Sequence, residues 1–239
     1  MILVCAATST EAAACRRGIA DAAAAGIDVL TTGVGPARAA AALARRLLAG
    51  ASDGTLSPDE RPTLIVSSGF AGALTAGLAP LAWVTASSVH RLVGDRVVEV
   101  ALPRGLLRVA EDAVACQVVS ADHAVAHGVI GVSELAAVDM ESAALAEVAA
   151  TARLPFLVLR LLTDTPAHPL ATVGRALAAA LAATGAASQA AHGARAALDA
   201  ARAPTQAAAF VRDALRWRAQ LRAGWREHAR RGLPAHPRS

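Results

Sequence analysis

The stretch AAVDMESAALAEVAATARLPFLVLRLLTDTP, residues 136–166, decides how the rest of the chain is read. Two short apolar runs flank an alanine-rich helical segment, and charges sit where buried elements should have none. Asp139 and Glu141 stand at the first positions of the expected helix, Arg160 interrupts the apolar run 156–162, and Asp164 closes it. Phe, Leu and Val in a run of that length predict a central parallel strand covered on both faces. An arginine inside such a strand is costly unless a carboxylate answers it. Asp164 then falls just past the strand's carboxyl end, where open α/β sheets place their ligands. Two readings stay open on this stretch alone: a buried Arg–carboxylate pair that only fixes register, or charges that do chemistry.

Working outward, residues 2–7 predict a first strand that ends at Thr8-Ser9-Thr10. Glu11 follows, with a helix to about residue 25 and Gly26 as its stop. A second strand, 27–32, runs into Gly33-Val34-Gly35-Pro36-Ala37-Arg38 and a helix to about residue 48. Strand, glycine turn and helix in that order can cradle an anion or a sugar at a helix N-terminus. A plain tight turn with Pro36 at the first helical position explains the same residues. Residues 51–62 predict a surface loop, and 63–68 a third strand closed by a turn at Ser68-Gly69-Phe70-Ala71-Gly72. Strands at 81–89 and 96–102 form a hairpin around Gly94-Asp95. A helix at 104–114 and a strand at 116–120 follow. Asp122, His123 and His127 then read as loop polar residues, and no metal or other cofactor is expected.

Beyond Pro166 the pattern predicts a helix at 170–183, an alanine-rich link to about residue 203 and a last helix at 205–231. In that helix Phe210, Ala214, Trp217, Leu221 and Trp225 recur at helical spacing, with Arg212, Arg216, Arg222, Arg226 and Arg230 on the other side. Such a helix could pack on its own core, on a partner subunit or on a membrane surface. Residues 1–185 therefore read as one domain and 186–239 as a helical C-terminal extension. Alternating strands and helices give an α/β fold, doubly wound or three-layered.

Composition narrows the function classes. The chain of 239 residues is 55% hydrophobic, enough for a sizeable core and too much for disorder. It has no lysine, so the net charge of +4 is carried by arginine, much of it after residue 210. That describes a tail, not a nucleic-acid footprint on the core. Cys5, Cys15 and Cys116 are too few and scattered for a disulfide framework, so a reduced, cytoplasmic setting is expected. The N-terminus reads as a strand and not a signal peptide.

Four segments in this order, AATSTE (6–11), TGVGPA (32–37), SSGFAGAL (67–74) and VDMES…LRLLTD (138–164), resemble the purine nucleoside phosphorylase/nucleosidase superfamily. The resemblance covers about residues 1–185. It implies a three-layer α/β/α phosphorylase/hydrolase-like fold with a mixed central sheet, a purine nucleoside as ligand, and a dimer or larger oligomer. Within the superfamily the chain looks most like the nucleosidases. Glu11 falls where methylthioadenosine/adenosylhomocysteine nucleosidases hold the attacking water. Phosphorylases place arginines in this loop and before the glycine turn, where this chain has Thr8-Ser9-Thr10 and Ile65-Val66-Ser67.

By that resemblance Asp164 is the general acid on purine N7, a role that asks it to hold a proton near neutrality. Glu141 binds the ribose hydroxyls, and Arg160 pairs with Glu11 to fix the water. Met140, Phe70, Gly35, Gly69 and Thr163 line the substrate. Phe70 replaces the small residue often found in the glycine turn, and the stacking aromatic of methylthioadenosine nucleosidases would fall near Ala124, which cannot stack. The hairpin those enzymes carry between the first helix and the strand before the GxG turn is missing: at Gly26-Ile27-Asp28 the helix passes directly into that strand. This shortened form, with DMES and an arginine-rich C-terminal helix, resembles the hopanoid-associated phosphorylase-like proteins and implies release of adenine from adenosylhopane. A methylthioadenosine, adenosylhomocysteine or futalosine nucleosidase, a phosphorylase, and a non-catalytic nucleoside-binding protein are the alternatives.

Overall fold

The computed structural model describes residues 1–52, 61–102, 104–108, 113–123, 125, 132, 134–170, 172–182 and 186–234. The chain starts as expected: β1 (Ile2–Ala6), α1 (Ser9–Asp21), β2 (Ile27–Thr31) and α2 (Pro36–Ser52), with Pro36 opening its helix. A Thr8-x-x-Glu11 capping box starts α1, the Thr8 side chain meeting the Glu11 N–H and the Glu11 side chain reaching back. β3 (Leu64–Ala73) runs straight through the stretch expected to turn at Ser68–Gly72. It stays extended because β9 (Phe156–Asp164) pairs with it in parallel, Ile65 opposite Phe156 and Gly69 opposite Arg160. The irregularity survives as a register shift between Ala71 and Gly72.

β4 (Trp83–Val93) and β5 (Arg96–Glu99) form the expected hairpin. The helix expected at 104–114 is absent from its described part: β6 (Leu106–Leu107) lies there and β7 (Ala113–Ser120) has already begun at 113. β6 pairs with β9, so the sheet claims residues whose local pattern looked helical. His127 and Ala124 lie outside the described residues. β8 (Ala136–Asp139), α3 (Ser142–Thr151) and β9 complete the central stretch, followed by α4 (Thr172–Ala182), α5 (Ala186–Arg202) and α6 (Pro204–Arg231). The alanine-rich link is thus largely a helix, α5, as alanine's high propensity favours.

The sheet is mixed. β9 is parallel to β3 and β6 but antiparallel to β4. Pairings run β3–β8–β7–β4–β9 and return to β3, so this part of the sheet closes on itself. One core packs α2 and α3, through Leu43 and Leu145, on one face. The other packs α1 and α6, through Cys15, Leu221 and Trp225, on the opposite face. That is an α/β/α arrangement in three layers.

α6 is bound closely to this second face. A methyl group on Gly18 of α1 would lie 2.4 Å from the Arg222 carbonyl oxygen and 2.7 Å from Trp225 Cβ, so the two backbones meet there. Gly224 similarly admits the ring of Trp83. Trp225 is fully buried and donates its indole N–H to Ser68 Oγ at 2.9 Å. Phe210 packs against Gly174 of α4, and the Trp217 ring sits 5.8 Å from Phe210 and 6.3 Å from Phe70. Among the described residues, no helix is long and apolar enough to cross a membrane.

Candidate active site

Asp139, Glu141 and Arg160 meet around the end of β8, with Glu11 close by after β1, while Asp164 stands at the end of β9 against Gly72. Arg160 is the organising group, 1% exposed in the middle of an apolar strand. Its Nη2 lies 2.9 Å from Asp139 Oδ2 and 3.4 Å from Glu141 Oε2, and it donates to Ser67 Oγ at 2.8 Å. The expected Arg160–Glu11 ion pair is not formed among the described residues: β3 lies between β9 and β8, and the guanidinium reaches to Asp139 and Glu141 at the β8–α3 corner instead. Glu11 is a neighbour on the far side of Gly69, where a built Cβ would lie 2.3 Å from Glu11 Oε1 and 3.0 Å from Arg160 Nη1. No side chain fits there, and the φ of +135° favours glycine as well.

Asp139 ends β8 and Glu141 is the N-cap of α3, so neither occupies a helical position. Asp139 is fully answered: Ser120 Oγ donates to Oδ1 at 2.5 Å, Ser142 donates through its N–H and hydroxyl, and Arg160 adds its charge. Glu141 is less well compensated. Gly35 N donates to its Oε1 at 2.9 Å, a contact across 106 residues that joins the GxGP turn to the DMES corner. Two carboxylates share one guanidinium here. Burial pushes Glu141 up to about 7; Arg160 opposes the rise and Asp139 adds to it.

Glu11 is buried and accepts three hydrogen bonds: from Thr8 N at 2.8 Å, Thr8 Oγ1 at 2.7 Å and Phe70 N at 2.9 Å. A carboxylate offers about four acceptor directions, which leaves one for a water or a substrate hydroxyl. Asp164 closes β9 half-buried, against Gly72, where a built Cβ would meet its Oδ2 at 2.9 Å. Thr163 Oγ1 lies 2.8 Å from Asp164 Oδ1 and 3.3 Å from the Ala71 carbonyl, so its single proton orients on one of the two. Met140 is half-buried between the two acids. Gly35 has a φ of +93° and open space where a Cβ would point.

Gly35, Glu141, Arg160, Gly69 and Glu11 are thus brought together, Thr163 and Asp164 stand at the end of β9 beside Ala71 and Gly72, and Phe70 turns toward α6. Sequence reasoning missed the supporting hydroxyls of Thr8, Ser67, Ser120 and Ser142, and missed Gly72 beside Asp164. The T-x-x-E spacing at Thr8–Glu11 was the one local signal for any of them. It also gives Glu11 a structural task, since the carboxylate caps α1 while facing the site.

No family model and no curated protein sequence matches the chain. Solved structures do. An S-adenosylhomocysteine nucleosidase of Streptococcus pyogenes in complex with 5-methylthiotubericidin aligns at 17% identity and TM-score 0.51, over 70% of this chain and 85% of that one. A methylthioadenosine/adenosylhomocysteine nucleosidase of Colwellia psychrerythraea in complex with adenine aligns at 16% identity and TM-score 0.51, over 70% and 84%. A futalosine hydrolase mutant of Helicobacter pylori aligns at 16% identity and TM-score 0.50, over 67% and 88%. At these identities the likeness establishes the fold: a mixed central sheet between helices, shared with nucleosidases.

Proposed function

We propose that the chain is a nucleosidase that hydrolyses the N-glycosidic bond of a purine nucleoside, with adenine as the base. The observation that carries this reading is that three carboxylates in different settings stand at or just past the carboxyl ends of β1, β8 and β9. Glu11 has an acceptor direction left, Glu141 joins the Gly35 turn, and Asp164 stands at the open strand end. Cleaving this bond develops positive charge on the sugar and negative charge on the base, which calls for carboxylates in separate roles. Asp164 protonates the leaving purine at N7, Glu11 takes a proton from the attacking water, and Glu141 holds the ribose hydroxyls and faces the developing cation. Arg160 positions Glu141 and Asp139. Met140, Gly35, Gly69 and Thr163 shape the substrate's surroundings. Water is the nucleophile, because Thr8–Thr10 and Ile65–Ser67 supply no cation for phosphate.

The nucleoside we favour carries a large apolar 5′ substituent, as adenosylhopane does. Phe70, Trp217 and Phe210 form a half-buried aromatic row beside Glu11's backbone partner, a surface suited to hydrocarbon. Such a substrate would bring the protein to a membrane surface, and we take the working unit to be a homodimer. Incubating the protein with adenosylhopane and, separately, with methylthioadenosine, adenosylhomocysteine and futalosine tests the reading by chromatography of the released base. Adenine from adenosylhopane is expected. Release from methylthioadenosine alone would overturn the lipid-nucleoside assignment while leaving hydrolysis intact.

A further inference from the structure

The second face carries a feature that nucleoside hydrolysis does not use. α1 and α6 diverge above their close contact at Gly18 and leave an open groove of about 490 Å³. Arg17, Arg218, Arg222 and Arg226 line it, with Asp21 as its only acid among the described residues. Asp21 is taken: Arg222 Nε and Nη2 donate to its two oxygens at 2.7 and 3.0 Å. Arg17, Arg218 and Arg226 have no hydrogen-bond or ion-pair partner among the described residues. Residues 218, 222 and 226 follow at i, i+4 and i+8, so their like charges repel along one helical face. The Asp21–Arg222 pair lies in the groove, and Arg17, Arg218 and Arg226 line it without an ion-pair partner among the described residues, Arg226 acting on Asp21 only at longer range. Ser9 and Thr10, exposed in the first turn of α1, form its upper end with N–H groups that have no intrahelical acceptor.

We propose that this α1–α6 groove is a binding site for a phosphate-bearing polyanion, held by Arg17, Arg218 and Arg226. Guanidiniums match phosphate oxygens in two-pronged geometry, and three of them around one groove favour a diphosphate or closely spaced phosphates over a single carboxylate. Two sources supply that chemistry: a soluble diphosphate or the headgroups of an anionic bilayer. The exposed Val211 and Leu215 lie about two turns and one turn before Arg218 on the same helix, where a bilayer's acyl boundary would meet them.

The test measures binding and needs no catalytic turnover, so it stands or falls apart from the nucleosidase reading. The full chain is titrated with inorganic pyrophosphate by calorimetry, and in parallel sedimented with phosphatidylglycerol/phosphatidylcholine vesicles, both at low salt. The R17E/R218E/R226E variant is compared with R45E/R104E/R108E, an equal charge change elsewhere, and circular dichroism confirms that both are folded. Binding of either probe is expected, on the order of 100-fold weaker in the groove variant and nearly unchanged in the control. Pyrophosphate binding alone identifies a soluble ligand, and vesicle binding alone identifies headgroups. Absence of binding to both probes, or equal loss in the two variants, would overturn the proposal.

Discussion

Asp139 and Glu141 share one guanidinium, and the buried Glu11 acts on the same group, so carboxylates outnumber cations in this buried site. Glu141 is the group that yields. Its folded value near 7 lies above the ordinary 4.5, so the folded state binds the proton more tightly. Stability from this group is therefore full below about pH 4.5 and is lost as pH rises to about 7, on the order of 3 kcal/mol. Melting temperatures between pH 4.5 and 8 should show this slope, and Glu141→Gln should flatten it; equal slopes would remove the electrostatic account. Activity should move the other way, since the ionised form holds the ribose hydroxyls and faces the sugar cation. An acid limb with a midpoint near 7 is expected in kcat/KM. Asp164→Asn and Glu11→Gln should each lower kcat by ~10²–10⁴-fold, with purine binding retained in Asp164→Asn. If that substitution leaves kcat unchanged, Asp164 is not the acid.

The elements show why some of this could be read from sequence and some could not. The β8–α3–β9 unit was legible because Asp139, Glu141, Arg160 and Asp164 sit in or beside its apolar runs, and charge in a buried run demands a partner. Which partner was not legible: Arg160 meets Asp139 and Glu141, but register between strands is a tertiary fact. The pattern ends β3 early because the adjoining Ser67, Ser68 and Gly69 look like a turn. In the fold the small residues of β3 make room, Gly69 for Glu11 and Gly72 for Asp164. Gly72→Ala should therefore displace the Asp164 carboxylate, lowering kcat with a modest change in stability, about 1–3 kcal/mol. Gly18→Val places a branched side chain against the α6 backbone and should do the reverse. It should lower the melting temperature while a folded fraction keeps normal kcat. Activity loss without destabilisation there would mean that α6 does not rest on Gly18.

At the scale of the whole molecule, α6 was the hardest element to place from its pattern alone, since an amphipathic helix suits a core, a partner or a membrane equally. The structure gives it two faces. Leu221 and Trp225 are fully buried against α1 and the sheet, whereas Arg218, Arg222 and Arg226 point into the outer groove. Truncating one buried Trp alone costs about 3–5 kcal/mol, against a typical total stability of 5–15 kcal/mol. A chain ending before Pro204 should therefore lose cooperative unfolding, and a sharp melting transition from that fragment would contradict this placement. The account's central claim is the chemistry at these strand ends. The most direct test is product analysis after incubation with adenine nucleosides, with and without phosphate. Adenine together with free sugar, at a rate indifferent to phosphate, is the predicted result. Sugar 1-phosphate formed only when phosphate is present, or no turnover of any purine nucleoside, would contradict it.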